Sequence, residues 1–136
     1  MTSFFDTNVL IHSVDTNETG KYELAVDLVE KHLVRANGAI SVQVLREFYS
    51  VSRKIDNPLS DEQAREMVRR FATFRVLSED ARTVLRAVRR HQEMSFSFWE
   101  ALIVEAALKS GADRLFTEDM QHGQVIEGMR VENPFL

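Results

Sequence analysis

The sequence predicts an α/β protein, a central parallel sheet of four to five short strands flanked by helices, in one domain spanning residues 1–136. Three observations carry that prediction. Short apolar runs alternate with longer stretches of helical periodicity, the pattern of strands joined by helical crossovers. Capping and turn residues mark most of the boundaries. The chain's 136 residues, 44% hydrophobic and 28% charged, suit a single core, since compact domains cluster at about 100–150 residues.

Residues 2–5 (Thr-Ser-Phe-Phe) read as a buried strand running into Asp6-Thr7-Asn8, a turn and helix-start cluster. A short helix is expected over Val9–Val14, then a longer one over Glu18–Arg35 with Tyr22, Val26, Val29 and Leu33 at helical spacing. Gly38–Ser41 reads as a second strand, with Ser41 capping a helix over Val42–Ile55 that Asn57-Pro58 stops. Ser60-Asp61-Glu62-Gln63 has capping-box form and opens a helix to Phe71. Phe74–Leu77 is the third strand. Glu79–Met94 is amphipathic, with Ala81, Val84, Leu85 and Val88 inward and arginines outward. Ser97 caps a nearly all-apolar helix, Phe98–Ser110, closed by Gly111. Arg114–Phe116 is the fourth strand, and Met129–Val131 a last one.

Composition narrows the chemistry. The absence of cysteine excludes disulfides, thiolate nucleophiles and thiolate-held metals. The first residues lack a basic signal-peptide start, and no apolar run approaches the roughly 18 residues of a membrane span. A cytoplasmic setting is the expectation. Net charge is −4, yet its distribution is uneven. Between Arg46 and Arg90 eleven Arg and Lys residues face seven acids, and arginine suits bidentate phosphate contacts. A solvated pair of helix faces explains the same pattern.

Four carboxylates stand out. Asp6 and Asp119 each follow a predicted strand and so fall on the carboxyl edge of the sheet, where α/β sheets bind ligands. Each could equally be a helix-opening acid. Glu47 has apolar helical neighbours, so it needs an arginine partner or a metal. Glu100 lies over Ile103, Val104 and Ala107, but Ser97-Phe98-Trp99-Glu100 also fits the capping box, in which the glutamate serves the serine amide. Glu105 reads as a solvated helix residue and Glu118 as a supporting or dipole contact. Taken together, hard oxygen ligands without a histidine cluster suit Mg2+ or Mn2+ and phosphate chemistry.

The strings Phe5-Asp6-Thr7-Asn8-Val9-Leu10, Val44-Leu45-Arg46-Glu47-Phe48, Ser97-Phe98-Trp99-Glu100-Ala101-Leu102-Ile103-Val104 and Leu115-Phe116-Thr117-Glu118-Asp119-Met120-Gln121-His122-Gly123 resemble the PIN-domain family. The likeness is nearest to its VapC-type toxins and runs over essentially the whole chain. The resemblance implies a Mg2+- or Mn2+-dependent endoribonuclease, homodimeric, made with an antitoxin that blocks the acidic site. Asp6, Glu47, Glu100 and Asp119 would be its catalytic, metal-holding acids. Asn8 and Thr117 match positions that support those acids by hydrogen bonding. Arg46, beside Glu47, is the candidate for substrate phosphate or an antitoxin acid. One departure is plain: the family motif usually has Asp where this chain has Glu100. The extra methylene pushes the carboxylate outward by about a bond length, which octahedral Mg2+ tolerates poorly. A tolerated variant, a shifted ligand with weaker binding of a second metal, and an engineered form of reduced activity all fit.

His122 is a loop histidine that could touch a phosphate, and Trp99 fits a core or dimer contact better than a base-stacking platform. Arg82, Arg86, Arg89 and Arg90 form a candidate RNA path. Asp6-Thr7-Asn8 is also similar to aspartyl-phosphate enzymes of the haloacid dehalogenase kind, but those need a second Asp at position 8 and a suitably placed late lysine. The remaining rival is an impaired or inactive module of the same fold that binds RNA or an antitoxin without cutting.

Overall fold

The computed structural model describes residues 1–136 apart from the side chain at position 19. Its elements are β1 (Ser3–Phe5), α1 (Thr7–His12), α2 (Thr19–Arg35), β2 (Gly38–Ser41), α3 (Val42–Ser52), α4 (Asp61–Phe71), β3 (Arg75–Leu77), α5 (Ala81–Glu93), α6 (Phe98–Lys109), β4 (Arg114–Phe116), β5 (Val125–Ile126) and β6 (Met129–Glu132). The sheet order is β3-β2-β1-β4-β6-β5. All neighbouring pairs run parallel except the β5–β6 hairpin at one edge. No helix among the described residues is long and apolar enough to cross a membrane.

The register decides which residues share an edge. Phe4 pairs with Ala39 on one side and with Leu115 on the other. The residues that follow, Asp6 after β1 and Thr117 after β4, therefore emerge side by side at the carboxyl ends. Beneath them Phe4, Phe5, Ile40, Phe48, Phe71 and Leu115 are fully buried. Phe5 stacks on Phe74 with ring centroids 5.6 Å apart, and Phe48 meets Phe71 edge-on at 4.8 Å. Gly38 is required by this packing: a Cβ there would lie 2.3 Å from the Phe74 ring. His32 is buried under the opposite edge, where it donates from Nδ1 to the Leu28 carbonyl and accepts at Nε2 from Ser3. Burial holds its pKa below the ordinary value.

The helices form where the sequence places them, with instructive differences at their ends. Both predicted capping boxes are present, Ser60 with Gln63 and Ser97 with Glu100. α1 starts at Thr7 rather than Val9, because the Asp6 side chain accepts the Thr7 amide and makes Asp6 the N-cap. α3 stops at Ser52, short of Ile55. The Ser52 hydroxyl bonds back to the Tyr49 carbonyl and its own carbonyl takes the Leu59 amide, which closes a turn before Asn57-Pro58 is reached.

The edge of the sheet and the phase of α5 correct the sequence reading. A sixth strand, β5, adds to the expected four or five, folded back through Glu127-Gly128, both at positive φ (49° and 87°). On α5 the inward face carries Thr83, Val84, Ala87 and Val88, while Ala81 and Leu85 are exposed. Arg90 is not an outward residue. It is pulled inward to Glu105 at 2.6 Å, with side-chain exposures of 13% and 9%, and also holds Glu127. Glu105 is thus a buried ion-pair partner, not a solvated residue. Arg90 leaves the candidate RNA path, and Arg89 pairs with Glu93 at its own helix surface.

Candidate acidic site

Asp6 is the centre of the arrangement. It caps α1 from the end of β1 and is only 8% exposed. Its Oδ1 accepts the Thr7 amide at 2.7 Å, and its Oδ2 accepts the Thr117 hydroxyl at 2.8 Å. Burial pushes its carboxyl up from 3.8 to about 6; the bonds from Thr117 and Thr7 oppose the rise, and the charges of Asp119 and Glu47 add to it. Desolvation and like charge both disfavour the ionised form, as expected where acids are gathered for a cation.

Asn8 and Thr117 tie the second acid to the first. The Asn8 amide donates to Asp119 Oδ2 at 2.9 Å and to Thr117 Oγ1 at 3.3 Å, and its carbonyl accepts the Glu118 amide. Thr117, fully buried, also accepts the Asp119 amide. Both residues thus contact the acids that the resemblance assigned to them. Glu47 reaches the group from α3, accepting the Thr7 hydroxyl at 2.9 Å. Asp119 itself is exposed, at the open side of the site.

Glu118, next to Asp119, is held by a separate clamp. His12 Nε2 meets its carboxylate at 2.7 Å and Lys21 Nζ at 3.0 Å. Burial would raise the Glu118 carboxyl, but the bonds from His12 and Lys21 outweigh it and hold the group below its usual range. Phe135 packs edge-on against His12, and Lys21 lies over its ring. This anchor joins α1, α2 and the end of the chain, so no local pattern in the sequence announced it.

Glu100 is engaged at the start of its own helix. Its Oε1 accepts the Ser97 amide at 3.0 Å, while Ser97 Oγ accepts the Glu100 amide. Arg46 is exposed beside Glu47 and forms no ion pair among the described residues. His122 accepts the Asn133 amide on Nδ1, which gives it a structural role in its loop. Trp99 is 64% exposed, so it is not a core residue. A groove between α2 and α4, lined by Tyr22, Val26, Leu59 and Met67, contains none of the acids.

The donor chemistry of Asp6, Glu47 and Asp119 fits a hard, oxygen-seeking divalent cation. The Asp6 carboxyl is raised chiefly by burial, with a smaller contribution from the charges of Asp119 and Glu47. In the arrangement described, Thr7, Asn8 and Thr117 satisfy the carboxylates, and no three acidic or histidine side chains among the described residues stand close enough to chelate an ion.

The sequence model of the PIN domain matches residues 3–126. Among solved structures, a toxin–antitoxin complex from Klebsiella pneumoniae superposes with a TM-score of 0.67 at 21% identity, over 98% of either chain. DNA-bound VapBC from Salmonella typhimurium gives 0.67 at 18%, again over 98% of each. A VapC toxin of Mycobacterium tuberculosis described as cleaving the sarcin–ricin loop gives 0.57 at 19%, over 84% of this chain and 87% of its own. At such identities the likeness is one of fold. No curated protein matches the sequence.

Proposed function

The chain belongs to the PIN domain family, and on that premise we propose that it is a Mg2+- or Mn2+-dependent endoribonuclease, the toxin of a toxin–antitoxin pair. The observation that carries this reading is the linked set Asp6–Thr117–Asn8–Asp119, with Glu47 joined through Thr7, at the carboxyl edge of the sheet. The toxin–antitoxin complexes among its structural neighbours support a protein antitoxin as partner; a homodimer working in the cytoplasm is part of the same proposal.

In this reading Asp6, Glu47 and Asp119 would hold the cation. Glu100 would complete the set by giving up the Ser97 amide. When bound, the cation neutralises charge on a phosphate oxygen and lowers the pKa of an attacking water. The protein's own part is positional. Thr117 and the Thr7 amide fix both oxygens of Asp6, Asn8 fixes Asp119, and the Thr7 hydroxyl fixes Glu47. Arg46, exposed beside Glu47, offers a guanidinium to the RNA backbone and to the charge that develops on the phosphate. Contacts to phosphate place the strand without reading its sequence.

Incubation of a structured RNA with Mg2+ or Mn2+, against chelator, tests the proposal on the antitoxin-free protein and on Asp6→Ala. Cleavage that requires the cation and falls about 100-fold or more in the variant is expected, since groups that merely support metal ligands are already worth about 10–100-fold. Equal cleavage by both would refute the acidic site. A second reading, an RNA- or antitoxin-binding module that does not cut, is favoured by the Glu100 capping bond. RNA retention without cleavage by either protein would establish it.

A further inference from the structure

The sheet ends in an open edge. β5 is its last strand, and the Val131 amide donates to the Gln124 carbonyl beside it. That bond makes Val125 and Arg130 a non-hydrogen-bonded pair of the hairpin. The N–H and C=O of Val125 therefore point away from β6, and neither has a partner among the described residues. Val125 is also 61% exposed.

A groove of about 620 Å3 lies between this edge and the α5–α6 pair. Val125, Met94 and Leu108 supply its apolar lining, and Arg86, Arg89 and Lys109 its cations. The acids that line it are already engaged: Arg90 holds Glu105 and Glu127, and Arg89 holds Glu93. Arg86 and Lys109 are in no ion pair among the described residues, and Lys109 gives one bond to the Ser78 carbonyl. The charge left over in the groove is positive. None of Asp6, Glu47 and Asp119 lines it.

These features select one chemistry. An outward N–H and C=O on an exposed edge strand match a second extended backbone, which pairs with both. Carboxylates on that backbone would meet Arg86 and Lys109, and its apolar side chains Val125 and Met94. A nucleic-acid strand matches less well. Its phosphodiesters have no donor for the Val125 carbonyl, and Glu93 and Glu127 repel a continuous polyanion. We propose that the β5 edge docks an extended acidic and apolar segment of a partner protein, which adds a strand to the six-stranded sheet. Docking there requires neither a cation nor ribonuclease activity.

The test is fluorescence anisotropy of a labelled peptide of alternating Glu and Val, titrated with the whole protein as wild type, Arg86→Glu and Val125→Pro. Main-chain bonds supply much of the affinity in strand addition, so this simple sequence suffices as a probe. Val125→Pro removes the outward N–H and leaves the bonds to β6 in place. Binding by the wild type is expected, weakened about 10-fold or more in either variant, with no binding of a peptide of alternating Lys and Val. If Val125→Pro does not fold, amide exchange at Val125 replaces it, and should slow when the peptide is added to the wild type. No binding of the Glu-Val peptide by the wild type at about 1 mM overturns the proposal. Unchanged affinity in either folded variant, unslowed exchange at Val125, or equal binding of the Lys-Val peptide does the same. Binding of a labelled oligouridylate in place of the peptide, lost in Arg86→Glu, overturns it in favour of an RNA track.

Discussion

Replacing Asp6 by asparagine removes a buried carboxyl whose ionisation the fold resists. In the folded chain that carboxyl titrates at about 6, against 3.8 ordinarily. The native state therefore holds a proton over a range in which the unfolded chain has already lost it. By linkage, stability is highest below the unfolded value, falls as pH rises from about 4 to about 6, and is flat above. The total loss is about 3 kcal/mol at roughly 1.4 kcal/mol per pH unit. The carboxamide that replaces Asp6 in the variant carries no such penalty, but it can accept only one of the two bonds now given by Thr7 and Thr117, at a cost of about 1 kcal/mol. Asp6→Asn should therefore be more stable than wild type by about 2 kcal/mol near neutral pH in chelator, about equal to it near pH ~4.5, and slightly less stable below about pH 4. Denaturant melts of both proteins across that range measure the difference directly. A pH-independent difference, or a variant less stable at neutral pH, would refute the argument from burial.

Three other perturbations examine the rest of the architecture. Thr117→Val keeps the shape of a fully buried side chain but strands Asp6 Oδ2 and the Asp119 amide, and should cost about 2 kcal/mol in a denaturant melt. Arg90→Met leaves Glu105 charged and enclosed, and should cost about 3 kcal/mol, whereas Arg90→Met with Glu105→Leu should recover most of it; a double-mutant cycle distinguishes the two. Glu100→Ala loses its half of the capping box at α6, worth about 1 kcal/mol by thermal melting, while Glu100→Gln should keep it. If Glu100 also serves the cation, both variants weaken Mn2+ binding alike.

What the sequence disclosed follows the range of the interactions concerned. Ser60 with Gln63 and Ser97 with Glu100 are contacts within one helical turn, so spacing alone revealed them. Asp6 and Asp119 could be placed on one edge because each follows a strand, and parallel strands bring such positions together. The capping alternative for Glu100 was visible for the same reason, and it is the bond the structure contains. The phase of α5 was misjudged because Leu85 is apolar and Arg90 charged, whereas burial there is set by Glu105 on α6 and Glu127 in the hairpin. The β5–β6 hairpin had half a signal: Gly128 suits positive φ, but Glu127 takes a positive φ that glutamate seldom adopts. The His12–Glu118–Lys21 clamp had none, being made by three segments far apart in the chain.

Asp6→Asn gives the most direct test of the acidic site as a nuclease centre, because relief of the buried charge should make this variant the more stable protein near neutral pH. Single-turnover RNA cleavage should be measured for it and for the wild type, free of antitoxin, with Mn2+ and with chelator. Cation-dependent cleavage by the wild type is expected, with a loss of about 100-fold or more in a variant that is fully folded. Cleavage by Asp6→Asn at the wild-type rate would contradict the assignment of these acids to catalysis.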